Sequence, residues 1–344
     1  MKKLFHTLGP GFLVFVLLLL AACGSTSSTG GSTPTTSSTG GNLNIVFLPK
    51  QINNPYFDTA ASGGQQASKD LSGQFKQVGP SSANAAAQVP FITTLTEQHV
   101  GAIAISGDDP NAVAPSLKQA MAQGVKVVSY DADVAPDARN VFINQANSEQ
   151  IGRSEVDLLS QQIHSIGQIA ILSAASTAAN QNVWIGFMKD ELAAKYPNMK
   201  LVKIAYGNDD DQTSFNDTLA LLQQFPNLKG IISPTTVGIA AAARALESVH
   251  KGGQVALTGL GTPNQLRKYV KDGTIKGFEL WNPANLGYLA YYVAALLVEG
   301  KIKGTVGETF TAGKLGSYTI AANNVVLLGP PTVFNSSNID QFNF

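Results

Sequence analysis

From Leu43 onward the chain alternates short, continuous apolar runs with longer stretches in which apolar residues return every three or four positions. The continuous runs are Asn44–Leu48, Ala102–Ser106, Val125–Ser129, Gln168–Leu172, Gly230–Ser233, Val255–Gly259 and Ile275–Leu280. A strand covered by helices on both faces reads this way, whereas a strand with one wet face alternates. Helical spacing is seen in Asn111–Gln123, Ser148–Ile163, Val183–Lys195, Ser214–Gln224 and Val237–His250, with start signals such as Asp109-Pro110 and Asn180. Gly124, Gly273 and Gly300 stand just past helix ends, where a left-handed cap suits glycine. Strand–helix alternation predicts an α/β fold of parallel sheets with right-handed crossovers. The βα units are too many for one open sheet and the pattern restarts near Gly167, which predicts two Rossmann-like lobes.

The N-terminus differs from this body. Lys2-Lys3 precede the apolar run Phe12–Ala22, too short for a membrane span of about 20 residues. A basic end, a short apolar core and small residues form the layout of an export signal. The run ends in Leu20-Ala21-Ala22-Cys23, which resembles the lipobox of bacterial lipoproteins. Residues 1–22 are thus expected to be a signal peptide, with Cys23 carrying a membrane-anchoring lipid. Gly24 to Gly41 contain only Gly, Ser, Thr and Pro34. Such a composition cannot bury enough apolar surface to offset the entropy of ordering, so 23–41 reads as lipidated Cys plus flexible linker. Its reach would be about 23 Å. Function is therefore expected outside the cytoplasmic membrane.

Charge and composition narrow the chemistry. The 344 residues carry 23 Lys+Arg against 23 Asp+Glu, a net charge of zero, which gives nucleic acid no basic footprint to bind. One cysteine excludes an intrachain disulfide and multi-cysteine metal sites. His6, His99, His164 and His250 are scattered, with no paired-ligand spacing, so no metal is expected. The nearest approach to a dinucleotide fingerprint, Gly259-Leu260-Gly261-Thr262-Pro263-Asn264, has Asn at the third glycine position and reads as a strand-to-helix turn. No phosphate loop, nucleophile elbow or nucleophile–base pair is visible, so no cofactor is expected and an enzyme is disfavoured. The acidic runs Asp108-Asp109 and Asp209-Asp210-Asp211 read as solvated loops or helix caps.

Polar and aromatic residues instead gather at the carboxyl ends of strands, where open α/β sheets bind ligands. The first strand is followed by Lys50, Asn54, Tyr56 and Phe57. Asp131 follows Tyr130, Asn180 and Gln181 lie beyond Leu172, Pro234 and Thr236 beyond Ser233, and Trp281 and Asn282 beyond Leu280. Carboxylate, amide, ammonium, hydroxyl and aromatic plane together suit a neutral polyhydroxylated molecule. Its hydroxyls both donate and accept, and its C–H face stacks on a ring. Single Asn and Asp residues at strand ends also serve turns and helix caps, and a structural role is expected for Asp133 and Asn182. Of Tyr56 and Phe57, one is expected in the core and the other toward ligand.

At these residues the chain resembles the type I periplasmic sugar-binding proteins, most of all the branch with rhamnose-binding and autoinducer-2-binding members. The stretches concerned are Phe47-Leu48-Pro49-Lys50, Asn54-Pro55-Tyr56-Phe57, Tyr130-Asp131-Ala132-Asp133, Ala179-Asn180-Gln181-Asn182-Val183-Trp184, Ser233-Pro234-Thr235-Thr236 and Leu280-Trp281-Asn282-Pro283. The resemblance implies two lobes joined by three crossover strands, sugar in the cleft, and delivery to the membrane subunits of an ABC importer by a monomer. By that analogy the first lobe is 42–146 and 283–316 and the second 147–282 and 317–344, with crossings near Gln145–Asn147, Trp281–Asn285 and Gly316. Lys50, Asp131, Gln181 and Pro234 match the autoinducer-2 pattern, but Asn180 replaces its acid and Thr236 its alanine. The segments around Pro234 and Trp281 look more like rhamnose binders. Sensing of sugar or autoinducer-2, and secreted carbohydrate chemistry, are the other readings.

Overall fold

The computed structural model describes residues 42–344; the expected signal segment, Cys23 and the linker lie outside the described residues. In chain order the first half runs β1 (Asn44–Leu48), α1 (Pro55–Asp70), β2 (Gln74–Gln77), α2 (Ala85–Glu97), β3 (Ala102–Ile105), α3 (Pro110–Ala122), β4 (Lys126–Tyr130), β5 (Val141–Asn144) and α4 (Ser148–Ile163). It continues with β6 (Gly167–Ser173), α5 (Ala179–Lys195), β7 (Met199–Tyr206), α6 (Asp211–Gln224), β8 (Leu228–Ser233), α7 (Thr236–Ser248), β9 (Ala256–Gly259), α8 (Pro263–Lys271) and β10 (Phe278–Leu280). Last come α9 (Pro283–Val298), β11 (Thr309–Thr311), β12 (Ser317–Thr319), β13 (Val325–Leu327) and β14 (Thr332–Phe334).

Two parallel sheets result. The first has the order β13-β5-β4-β3-β1-β2 and the second β7-β6-β8-β9. An antiparallel pair, β10 with β14, adjoins the second sheet through a bridge between Leu260 and Glu279. Both centres are apolar on both faces, as the continuous runs predict: β3 (Ala-Ile-Ala-Ile) is buried throughout. The chain crosses between lobes after β5 and after β10.

The third crossing differs. Val325–Leu327 pairs in parallel with Phe142–Asn144 in the first sheet, so the chain returns to the second lobe between Leu327 and Thr332, not near Gly316, and 317–327 lies with the first lobe. Three residues bounded by the left-handed Asn323 and Asn324 on one side and by Gly329 on the other carry too little periodicity to announce a strand.

Helix α9 also escapes a periodicity reading. It has almost no polar face (Leu-Gly-Tyr-Leu-Ala-Tyr-Tyr-Val-Ala-Ala-Leu-Leu) because it is enclosed by α1 and by β3, β4 and β5. The α1–α9 contact is so close that only glycine fits at its crossing points. A Cβ on Gly63 would lie 1.7 Å from the Ala284 carbonyl oxygen, and one on Gly287 1.9 Å from that of Ala60. Gly63→Ala is therefore expected to cost about 3 kcal/mol of stability by overpacking against backbone. Gly186→Ala, on the exposed face of α5 with nothing within 4 Å, should be neutral or stabilising by up to about 1 kcal/mol. Urea unfolding of the two variants checks the contrast; equal midpoints would refute it.

Candidate functional site

Between the lobes, the carboxyl ends of both sheets line a shared cavity. Lys50, Asn54, Tyr56, Phe57 and Asp131 line it from the first lobe, and Asn180, Gln181, Pro234 and Thr236 from the second. Trp281 lines it from the crossing after β10. Asn282 does not belong to this set: its Oδ1 accepts from the Asn285 N–H and caps α9. Tyr56 and Phe57 do not divide their roles as expected. Both are buried and both face the cavity. Trp184, Asp209, Thr235, Leu260 and Leu280 complete the lining.

Asp131 is the most constrained group. It sits directly after β4 in the left-handed region, with φ 63°, a conformation that persists in a non-glycine residue only when its surroundings hold it. Its Oδ1 accepts from the Tyr56 hydroxyl at 3.1 Å and its Oδ2 from Ser106 Oγ at 2.7 Å. The Lys50 ammonium lies 3.8 Å from Oδ2. Tyr56 in turn accepts from Trp281 Nε1 at 2.8 Å. A hydrogen-bond chain thus runs from the interlobe crossing to the carboxylate. Burial, and then the Asp131 charge, raise the Tyr56 phenol well above its ordinary value, so it stays protonated as donor.

Gln88 of α2 secures the neighbouring strand ends. It donates to the carbonyls of Pro49, at 3.1 Å, and Ser106, at 2.8 Å, and accepts from the Asp108 N–H at 3.0 Å. Its buried amide therefore fixes the loops bearing Lys50 and Asp108. Across the cleft, Gln181 Oε1 is held by Ser173 Oγ at 2.7 Å and the Ala174 N–H at 2.8 Å, leaving its NH₂ to donate. Thr235 Oγ1 donates to Asp209 Oδ1. Two contacts span the lobes: Lys50 Nζ donates to Asn180 Oδ1 at 3.4 Å and Gln51 Nε2 to the Asp209 carbonyl at 3.1 Å. The described arrangement is the closed one.

Trp281 stands 6.1 Å from Trp184 and, edge-on, 6.1 Å from Tyr56. These rings, with Phe57, Leu260 and Leu280, supply the apolar part of the lining, beside its polar groups. Such a cavity can hold a hydroxylated molecule by charge-assisted hydrogen bonds together with C–H stacking.

The two acidic runs divide. Asp109 caps α3, Asp210 caps α6, and Asp211 pairs with Arg244 on the surface, as loop and cap residues do. Asp108 and Asp209 instead turn inward. Burial lifts the Asp108 carboxyl to about 7, against the opposing Lys50 charge and the Asn84 N–H; Asp209 and Asp131 add to the rise. Burial likewise raises Asp209. Asp133 and Asn182 are structural, as expected: Asp133 takes both arms of Arg139, and Asn182 donates to the Ser176 carbonyl.

The cavity residues missed from sequence had only weak signals. Trp184 follows Asn180 and Gln181 by one helical turn, and Thr235 stands between two chosen positions. Asp209 was hidden in a run that reads as solvated, and Leu260 inside a glycine turn.

A family model described as a periplasmic binding protein domain matches residues 45–302. The chain belongs to that family. Members of this family bind solutes and are not enzymes. Similar solved structures include a sugar ABC transporter from Actinomyces odontolyticus, 48% identical over 87% of this chain and 97% of that one with TM-score 0.70. A solute-binding protein from Clostridium phytofermentas with bound L-rhamnose is 38% identical over 87% and 97% of the two chains, with TM-score 0.82. LsrB from Clostridium saccharobutylicum in complex with AI-2 is 25% identical over 87% and 99%, with TM-score 0.84.

The Asp108 carboxyl gives this periplasmic binding protein a pH signature. Its value in the fold, about 7, exceeds the ordinary 3.8, so between these the folded state holds a proton that the unfolded chain has released. Its contribution is therefore most favourable at low pH and is lost as pH rises through this window, by up to about 4 kcal/mol. Buried Glu279, also lifted to about 7, adds a similar slope. Asp108→Asn should flatten the stability profile between pH 5 and 8 and raise Tm at pH 8; an unaltered slope in calorimetric melts would show that Asp108 ionises freely.

Proposed function

We propose that this periplasmic binding protein captures a neutral monosaccharide, a rhamnose-like 6-deoxy sugar above others, and hands it unaltered to the membrane subunits of an ABC importer. The observation that carries this reading is the closed cavity. Lys50 and Asp131 from one lobe and Asn180, Gln181 and Thr236 from the other line it together with the aromatic rings of Phe57, Trp184 and Trp281. A ligand that touches both lobes only when they are shut favours closure by that difference in affinity. Leu280, Phe57 and Trp281 offer an apolar surface for a 6-methyl group. The L-rhamnose bound in the relative 38% identical to this chain supports the same choice.

Autoinducer-2 is the second reading, favoured by the likeness to LsrB and disfavoured by Asn180 and Thr236, which depart from the pattern that the sequence resemblance implies. On the proposed reading the protein works as a monomer tethered through a lipid on Cys23, outside the cytoplasmic membrane. Cys23→Ser should release it from the membrane fraction; retention there would overturn the anchor.

A thermal-shift screen with L-rhamnose, L-fucose, D-ribose, D-xylose, D-galactose and autoinducer-2 tests the ligand. A ligand at 1,000 times its Kd should add about 4 kcal/mol of stability. L-rhamnose is expected to give the largest shift. A larger one with autoinducer-2 would favour the second reading, and none with any sugar would sink the first. Asp131→Ala should weaken rhamnose binding at least about a hundredfold in titration calorimetry, because it removes the acceptor and leaves Lys50 buried with its charge less compensated. Unaltered affinity would remove Asp131 from the site.

A further inference from the structure

Among the described residues that line the cavity, Lys50 is the one cation, and carboxylates approach it from both lobes. Asp131 comes from the end of β4, and Asp209 from the loop between β7 and α6 in the opposite lobe. Asp108, from the loop after β3, stands behind them. It is 5% exposed, and its Oδ2 has no hydrogen-bond partner. The groups facing Asp108 are Lys50, Asp131, Asp209 and the Asn84 N–H. Arg139, the nearest basic residue on the β4–β5 connection, is already committed to Asp133 through two hydrogen bonds of 2.6 and 2.8 Å. One positive charge therefore serves three acids, of which Asp131 and Asp209 line the cavity and Asp108 is buried beside it.

We infer that Asp108 and Asp209 make the cleft a charge filter, admitting uncharged sugars and rejecting sugar acids and sugar phosphates. This rests on the sugar-binding reading and deepens it. An anionic ligand would bring a fourth negative group to a single ammonium, in surroundings that screen charge far less than water does. A neutral sugar faces no such repulsion, and its hydroxyls can donate to the same carboxylates. Asp108 and Asp209 would thus select against a class of ligand, which is a different task from holding the favoured one. The filter is also proton-dependent. Burial already holds the Asp108 carboxyl near 7 and raises Asp209, so acidification neutralises part of the repelling charge while sugar acids remain ionised.

Titration calorimetry on the full folded protein tests this with matched pairs: L-rhamnose against L-rhamnonate, and D-galactose against D-galacturonate and D-galactose 6-phosphate. At pH 8 the neutral member of each pair that binds is expected to do so at least about a hundredfold more tightly than its anion. That ratio should fall about tenfold at pH 6, and by a similar factor at pH 8 in Asp108→Asn or Asp209→Asn. If either variant fails to fold, the pH dependence of the natural protein supplies the same readout. Equal binding of a neutral sugar and its anion at pH 8, or a ratio indifferent to both pH and substitution, would overturn the filter and leave sugar binding standing. Tight binding of an anion alone would overturn the filter together with the neutral-sugar reading, and binding of no sugar at all would overturn both.

Discussion

Lys50 is buried between two lobes, with its ammonium 3.8 Å from Asp131 Oδ2 and 3.4 Å from Asn180 Oδ1. A charge withdrawn from water in this way must be compensated by partners held in place, and much of the neighbouring structure does that holding. Gln88 ties down the strand ends before and beside Lys50. Ser106 and Tyr56 occupy both oxygens of Asp131, which keeps a strained backbone in one conformation. Because Asn180 comes from the other lobe, the compensation is complete only when the cleft is shut. The electrostatics of a single side chain therefore couple the site to the relative position of the two sheets.

The hydrogen bond from Trp281 to Tyr56 extends that coupling to the crossing after β10. Trp281 is at once part of the aromatic wall, a donor to the group that positions Asp131, and a segment of the chain that passes between lobes. The close α1–α9 contact, possible because Gly63 and Gly287 carry no Cβ, anchors the same region from behind.

Much of the site was legible because its chemistry sits at strand ends. Once the continuous apolar runs are read as parallel strands, the geometry of an open α/β sheet brings the following residues to one edge. Lys50, Tyr56, Asp131, Gln181, Pro234 and Trp281 are found together in this way. Asn282 shows the limit: the same residue type in the same place serves a helix end instead. Asp209 shows the converse, since it lies in a run of three acids of which its two neighbours face outward. Local sequence does not say which member of such a run turns inward; packing of the opposite lobe does.

Hydrophobic periodicity by itself determined the α/β class, the restart into a second lobe and seven of the fourteen strands among the described residues, because burial on both faces leaves an uninterrupted apolar run. It could not show α9, whose polar face is absent because neighbours enclose it, nor β13, whose three residues become a strand only by pairing with β5. The third crossing, the inward turn of Asp108 and Asp209, and the sharing of Lys50 between lobes were decided in three dimensions. Each depends on groups distant in sequence meeting in a medium of low dielectric, and no local pattern records such a meeting.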